Sequence, residues 1–311
     1  MLLVVALGGN ALLRRGEPME ATNQRANIRR AAEALAPVAR GNRIVVTHGN
    51  GPQVGLLALQ NASYREVAPY PLDVLDAETE GMIGYVLEQE LARALPGRRF
   101  ATLLTQIRVD PADPAFASPT KFVGPVYAEA EVEAVRKERD WAFARDGAAW
   151  RRVVPSPEPR SIEELETIRL LVDHDVVTTC VGGGGIPVVA CGAGGVTGVE
   201  AVIDKDLAAA LLATELGADA LLLLTDVDAV YRGWGTPEQE PIRHASASEL
   251  RALGAPAGSM GPKVEAVARF VEATGGFGAI GALESAHAVL DGRAGTAVTN
   301  GPVAGAPGGA V

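Results

Sequence analysis

Short, nearly unbroken apolar runs alternate along this chain with longer stretches in which apolar residues recur every three or four positions. Runs of the first kind read as buried strands and stretches of the second kind as amphipathic helices. Residues 2–7 are uniformly apolar and end in Gly8-Gly9-Asn10. Residues 23–39 carry Ile28, Ala31, Ala32, Leu35 and Val38 at helical spacing, and 44–47 form a second strand closed by His48-Gly49-Asn50-Gly51. The pattern goes on to predict helices over 52–62 and 73–95, a strand over 101–109, and a helix over 161–173 opened by Ser161 and Glu164 as a capping box. Strands are expected at 176–181, 187–190, 220–225, 278–283 and 296–299, and helices at 206–217 and 262–274. Strands without polar alternation, separated by helices, predict an α/β protein whose mainly parallel sheet is covered on both faces.

The rhythm breaks at residues 110–160, which hold DPADPAF, SPTKFVGP, a charged stretch and VVPSPEP. That is too long for a strand-to-helix loop and reads as an inserted subdomain. The Gly/Pro/Ala-rich residues 301–311 are expected to fray. The apolar start is too short for a leader or a membrane span, so the expected location is the cytoplasm. Cys180 and Cys191, the two cysteines, read as small buried hydrophobes of a reducing compartment. A formal net charge of −10 argues against a nucleic-acid partner, which calls for a basic face.

Candidate chemistry gathers at the strand ends. In an open parallel sheet ligands sit beyond the carboxyl ends of the strands. Here those ends read Gly8-Gly9-Asn10, Gly49-Asn50-Gly51, Gly182 to Gly185 and Thr225-Asp226. Glycine lets the backbone approach a ligand and present its N–H groups to phosphate or carboxylate oxygens. The chain contains neither GxxxxGK[ST] nor GxGxxG, so the phosphate must be held another way and a dinucleotide-dependent dehydrogenase is disfavoured. Only four of the 28 basic residues are lysines. Lys137 lies in a mixed-charge helix and reads as solvated. Lys205 stands at a helix start in Ile203-Asp204-Lys205-Asp206, Lys263 just inside another helix, and Lys121 in the inserted segment. Ammonium groups around a moving phosphoryl group would neutralise its charge, which is most of what such a transfer asks of a protein. Asp206 can hold two lysines by ion pairing, while Asp204 and Asp206 can also serve as helix N-caps. His48 reads equally as a substrate ligand or a packed histidine. The histidines form no metal-ligand pattern, so no structural metal is expected, only Mg²⁺ brought in with a nucleotide.

Long runs in one order carry a resemblance: VVALGGNALL at 4–13, VVTHGNGPQVG at 45–55, SPTKFVGP at 118–125, WRRVVPSPEP at 150–159, GVEAVIDKDLA at 198–208, LLTDVDAVY at 223–231 and GSMGPKVEA at 258–266. Over essentially its full length the chain resembles the carbamate kinases of the amino-acid kinase family. The resemblance implies a three-layer α/β/α sandwich in one domain over 1–311, with a small protruding subdomain. A lobe over 1–175 would bind the small acid and a lobe over 176–311 the nucleotide. It implies reversible phosphoryl transfer between ATP and carbamate, often run toward ATP in arginine catabolism, by a homodimer. Lys121, Lys205, Asp206 and Lys263 would be catalytic. Gly8, Gly9, Asn10, Gly49, Asn50, Gly51, Gly183 and Gly184 would bind the substrate, and Asp204, Thr225, Asp226, Tyr231 and Met260 would lie at the nucleotide. Relatives acting on larger acids carry a lysine in the first strand; Lys121 would take that part here. A kinase for another small acid and an inactive nucleotide sensor are the competing readings.

Overall fold

The computed structural model describes residues 1–300 apart from 15, 65, 140 and 255–259, and only the backbone at Asn10, Pro125, Glu138 and Ala193. The expectation for 301–311 therefore lies outside the described residues. An eight-stranded sheet runs through the middle in the spatial order His244–Ser246, Thr296–Thr299, Phe277–Ala282, Ala220–Thr225, Leu2–Leu7, Arg43–His48, Val176–Thr179, Arg99–Thr102. Every neighbouring pair is parallel except Thr296–Thr299 against Phe277–Ala282. Successive side chains of a strand point to opposite faces, and the first strand divides its apolar residues accordingly. Leu3, Val5 and Leu7 pack with helices Ala21–Ala39 and Leu72–Ala94 on one side. Leu2, Val4 and Ala6 pack with helices Lys205–Leu216 and Met260–Thr274 on the other. This two-sided burial is why the strand reads as a continuous apolar run, and it makes the expected three-layer sandwich.

The strand expected over 101–109 is two strands. Arg99–Thr102 ends the main sheet, and Gln106–Val109 joins a second sheet in the order Gly195–Gly198, Ile186–Cys191, Gln106–Val109, Pro159–Ile162. The break is held at Thr105, whose N–H donates to the buried Glu80 carboxylate at 2.8 Å and whose hydroxyl accepts from the Val181 N–H at 3.0 Å. The strand expected at 187–190 thus belongs to this second sheet. The strand over 176–181 stops at Thr179, because Val181 turns to φ +53°. The Ser161 capping box does not form. Ser161 lies in strand Pro159–Ile162 opposite Arg108, and the Glu164 carboxylate accepts from the Gln106 backbone instead. Strand Val176–Thr179 pairs with Arg43–His48 and Arg99–Thr102, and strand Ile186–Cys191 pairs with Gln106–Val109.

Within 110–160 a separate three-stranded antiparallel sheet forms from Lys121–Tyr127, Ala149–Val154 and Phe143–Asp146, with helix Glu129–Arg139 beside it. Its Val123 and Val154 pack against Val54, Leu72, Leu75 and Val202. Arg152, stacked 4.1 Å over Trp141, pairs with Glu200, which also accepts from the Leu72 N–H. The subdomain is thereby seated over the starts of helices Gly51–Ser63 and Leu72–Ala94. Of the two cysteines, Cys180 is buried and Cys191 is exposed, contrary to expectation for the second. Among the described residues no helix is long and apolar enough to cross a membrane.

Candidate active site

Leu2–Leu7 lies between Arg43–His48 and Ala220–Thr225 with its last residue level with His48 and Leu224, so three strands end along one line. The next strand in sequence crosses over on one face and Ala220–Thr225 arrives from a helix on the other, which opens a crevice at this point of the sheet. The turns approach one another closely at Gly49 and Gly183. A Cβ on Gly49 would lie 3.2 Å from the Lys205 side chain and 3.3 Å from the Gly9 nitrogen. Gly183, at φ +69°, could not carry one, since it would fall 2.2 Å from the Asn50 amide nitrogen. Glycine therefore lets a lysine and an asparagine lie flat against the turns.

The resulting cleft encloses about 450 Å³ and brings together Gly8, Gly9, Gly49, Asn50, Gly51, Gly183, Lys121, Asp204, Lys205, Asp206, Thr225, Asp226 and Lys263. Asp206, 3% exposed, accepts from the Lys205 ammonium on one carboxylate oxygen and from Lys263 on the other, the latter at 3.0 Å. Asp204 caps helix Lys205–Leu216 through the Asp206 and Leu207 N–H groups with one oxygen and holds Lys121 at 3.0 Å with the other. The capping role thus falls to Asp204 alone, and the same residue ties the subdomain to the main body.

Burial by itself would raise the Asp206 carboxyl, but the charges of Lys205 and Lys263 outweigh it and hold the group below its ordinary value. Lys263 is pushed down, by burial first and by the Lys205 charge second. The two shifts describe one arrangement: a carboxylate with two ammonium groups, whose surplus positive charge an incoming phosphate would relieve. Two lysines in the opening turns of helices, where the macrodipole disfavours cations, fit an anion site rather than a structural one.

Beneath the turns lies a buried polar layer that the sequence reading did not include. The Asn50 amide nitrogen donates to Asp76 at 2.9 Å and to Thr79 at 2.8 Å. Burial pushes the Asp76 carboxyl up to about 8, and Glu80, buried beside it, is raised in the same direction. His48 resolves as a packed residue. It is 1% exposed, its Nδ1 lies 3.0 Å from the Gly49 carbonyl, and burial lowers it to about 4, so the ring is neutral. A signal for this layer existed: Asp76, Thr79 and Glu80 recur at helical spacing on the same face as Leu72, Leu75, Ile83 and Leu87, where an amphipathic helix should be apolar.

Four expected residues are not brought into the cleft lining. Gly184 is buried below it, with the Ile203 carbonyl 2.5 Å from where a Cβ would stand. Tyr231 bonds Asp228 at 2.6 Å and lies against Trp234. Met260 packs on the core. The Asn10 side chain lies outside the described residues. Lys137 is exposed, as expected. Among the described residues no group of three or more His, Cys, Asp or Glu side chains is placed to cage a metal ion.

A mainly parallel sandwich with glycine turns and a lysine–aspartate–lysine cluster at one edge defines a phosphotransferase-type site, and the comparisons agree. The profile of the amino acid kinase family matches residues 1–276, and the chain belongs to that family. Within it, the chain falls among the carbamate kinases. It is 55% identical to the carbamate kinase of Rhizobium meliloti over 303 residues, covering 96% of this chain and 94% of that one. It is 54% identical to the carbamate kinase of Escherichia coli K12 over 96% of its own length and 99% of the relative's. The solved structure of Giardia lamblia carbamate kinase bound to AMP-PNP superposes with a TM-score of 0.89 at 39% identity, covering 96% of this chain and 98% of that one.

Proposed function

We propose that the cleft transfers a phosphoryl group reversibly between ATP and carbamate. In one direction a carbamate oxygen attacks the γ-phosphorus, the bond from that phosphorus to the β–γ bridging oxygen breaks, and the electron pair leaves on ADP. The reverse, with carbamoyl phosphate as donor, makes ATP. The observation that carries this reading is the Lys205–Asp206–Lys263 cluster lying against the Gly8-Gly9 and Gly49 turns. It offers preorganised positive charge where phosphoryl oxygens would sit, which is the largest contribution a protein makes to this chemistry. Lys121, carried in by the subdomain, would face the small acid. Asp204 would steady Lys121 and the helix start together.

The nucleotide is assigned to the C-terminal half, where Thr225 and Asp226 reach the cleft; Gly184, Tyr231 and Met260 keep their assigned parts on the resemblance alone. Both Asp206 oxygens are engaged by ammonium groups. Mg²⁺ therefore enters as part of the metal–nucleotide substrate, held chiefly by phosphate and water. A cytoplasmic homodimer working toward ATP completes the reading. The purified chain given ADP, Mg²⁺ and carbamoyl phosphate should form ATP; silence on that donor with activity on another acyl phosphate would transfer the assignment to a different small acid.

A further inference from the structure

We propose that Asp76 and Thr79, two buried residues of helix Leu72–Ala94, position the Asn50 side chain so that its carbonyl oxygen recognises the amino group of the carbamoyl substrate. The proposal rests on the carbamate reading above and gives it its selectivity over acids of the same shape.

The orientation of Asn50 is settled by hydrogen-bond accounting. The Thr79 hydroxyl has one proton, and it donates that proton to the Asp76 backbone carbonyl at 2.8 Å. Toward Asn50, 2.8 Å away, the hydroxyl can only accept, so the Asn50 atom facing it must be the amide nitrogen. The second amide hydrogen goes to Asp76 at 2.9 Å. Both donors of the amide are then taken from below.

The carbonyl oxygen is left over, and it is not used where an asparagine at this place ordinarily uses it. Asn50 is the N-cap of helix Gly51–Ser63, a position from which the side-chain oxygen usually turns back onto the helix amides, yet it makes no cap bond. The oxygen accepts no hydrogen bond from the described residues. Nor is the residue sealed off: although Asn50 is only 3% exposed, it lines the cleft. Asn50 and Gly183 both line the cleft, and a Cβ on Gly183 would stand 2.7 Å from this oxygen. Glycine there keeps a side chain off the whole Asn50 amide, the oxygen included.

Of the acceptor side chains that line the cleft, Asp204 and Asp206 are taken by Lys121, Lys205 and Lys263, and Asp226 accepts from Thr225, while the lysines are donors. Donors suit phosphoryl and carboxyl oxygens. Carbamate and carbamoyl phosphate differ from acetate and acetyl phosphate in having an amino group where the others have a methyl, and only the amino group can donate to a carbonyl. A methyl placed there would leave the oxygen desolvated and unpaired, the situation that most strongly penalises an analogue lacking a hydrogen-bonding group.

The test compares kcat/KM for ATP formation from carbamoyl phosphate and from acetyl phosphate, each with ADP and Mg²⁺, in the unaltered chain and in Asp76→Ala, Asp76→Asn and Thr79→Val. The unaltered chain should favour carbamoyl phosphate. In Asp76→Ala and Thr79→Val that preference should fall roughly tenfold, the worth of one well-placed hydrogen bond. Asp76→Asn, which can still accept from Asn50, should keep the preference. A merely structural role would lower both rates together and leave the ratio alone, and that result, or an unaltered chain without preference, overturns the proposal. Thr79→Val is nearly isosteric and serves if Asp76→Ala does not fold. No ATP from carbamoyl phosphate in the unaltered chain would instead defeat the carbamate reading itself and this proposal with it.

Discussion

Single side chains in this molecule carry charge in places where charge is costly. Lys263 is 5% exposed, pressed down by burial and by its neighbour Lys205, and held charged by Asp206. Replacing it by alanine removes one of two ammonium groups from the phosphoryl site and leaves Asp206 to Lys205. Turnover by Lys263→Ala should fall about 100- to 1,000-fold, the range seen when one preorganised electrostatic partner is lost, while far-ultraviolet circular dichroism reports a folded chain. A rate within a few-fold of the unaltered chain would remove Lys263 from the mechanism. Asp76 gives a different residue-scale prediction. Its carboxyl titrates at about 8 in the folded chain because of burial, against an ordinary 3.8. Between those values the folded state holds a proton that the unfolded state has released, so stability declines as pH rises through that window. Asp76→Asn cannot titrate and should show a flatter profile of melting temperature against pH. Glu80 is shifted upward for the same reason, so some slope should remain. Identical profiles would mean that Asp76 is ionised in the fold.

At the scale of elements, strand Lys121–Tyr127 delivers a lysine to a site built otherwise by the main sheet. Its docking runs through Lys121–Asp204 on one side and Arg152–Glu200 on the other. Lys121→Ala should raise KM or lower kcat for carbamoyl phosphate by about tenfold or more, with the ADP dissociation constant, read by calorimetry, changed much less. Equal losses for both ligands would contradict a role at the small acid. Elements buried on two faces were legible in the sequence, because residues 2–7 and 220–224 have no polar positions to confuse a strand with anything else. Residues 101–109 were not, because apolar pattern reports burial and not which sheet does the burying. The crossing at Thr105 depends on Glu80, which lies 25 positions away. The Ser161–Glu164 pair misled for a related reason. The capping motif is local, and the strand pairing of Ser161 with Arg108 overrides it, whereas the same motif is realised at Ser246 and Glu249, with helix Ala247–Ala252 behind it.

For the whole molecule, the decisive feature is where one sheet changes its direction of travel. Turns separated by more than 200 positions, at Gly8 and Thr225, become neighbours there, and the Gly8 N–H donates to the Leu224 carbonyl at 2.8 Å. That convergence was readable from strand-end glycines and from the scarcity of lysine, since neither depends on knowing which strands pair. The supporting layer of Asp76, Thr79 and Glu80 was not read, because acidic residues on a helix ordinarily face water and only the packed structure turns this face inward. The same limit applies to Tyr231 and Met260, which the family pattern carries but the cleft lining omits. The measurement that bears most directly on the account is ATP formation by the purified chain from ADP, Mg²⁺ and carbamoyl phosphate, followed through a coupled enzyme and repeated with Lys263→Ala. Steady ATP production that collapses in the variant is the predicted result; no ATP from carbamoyl phosphate, or production that survives loss of Lys263, would contradict it.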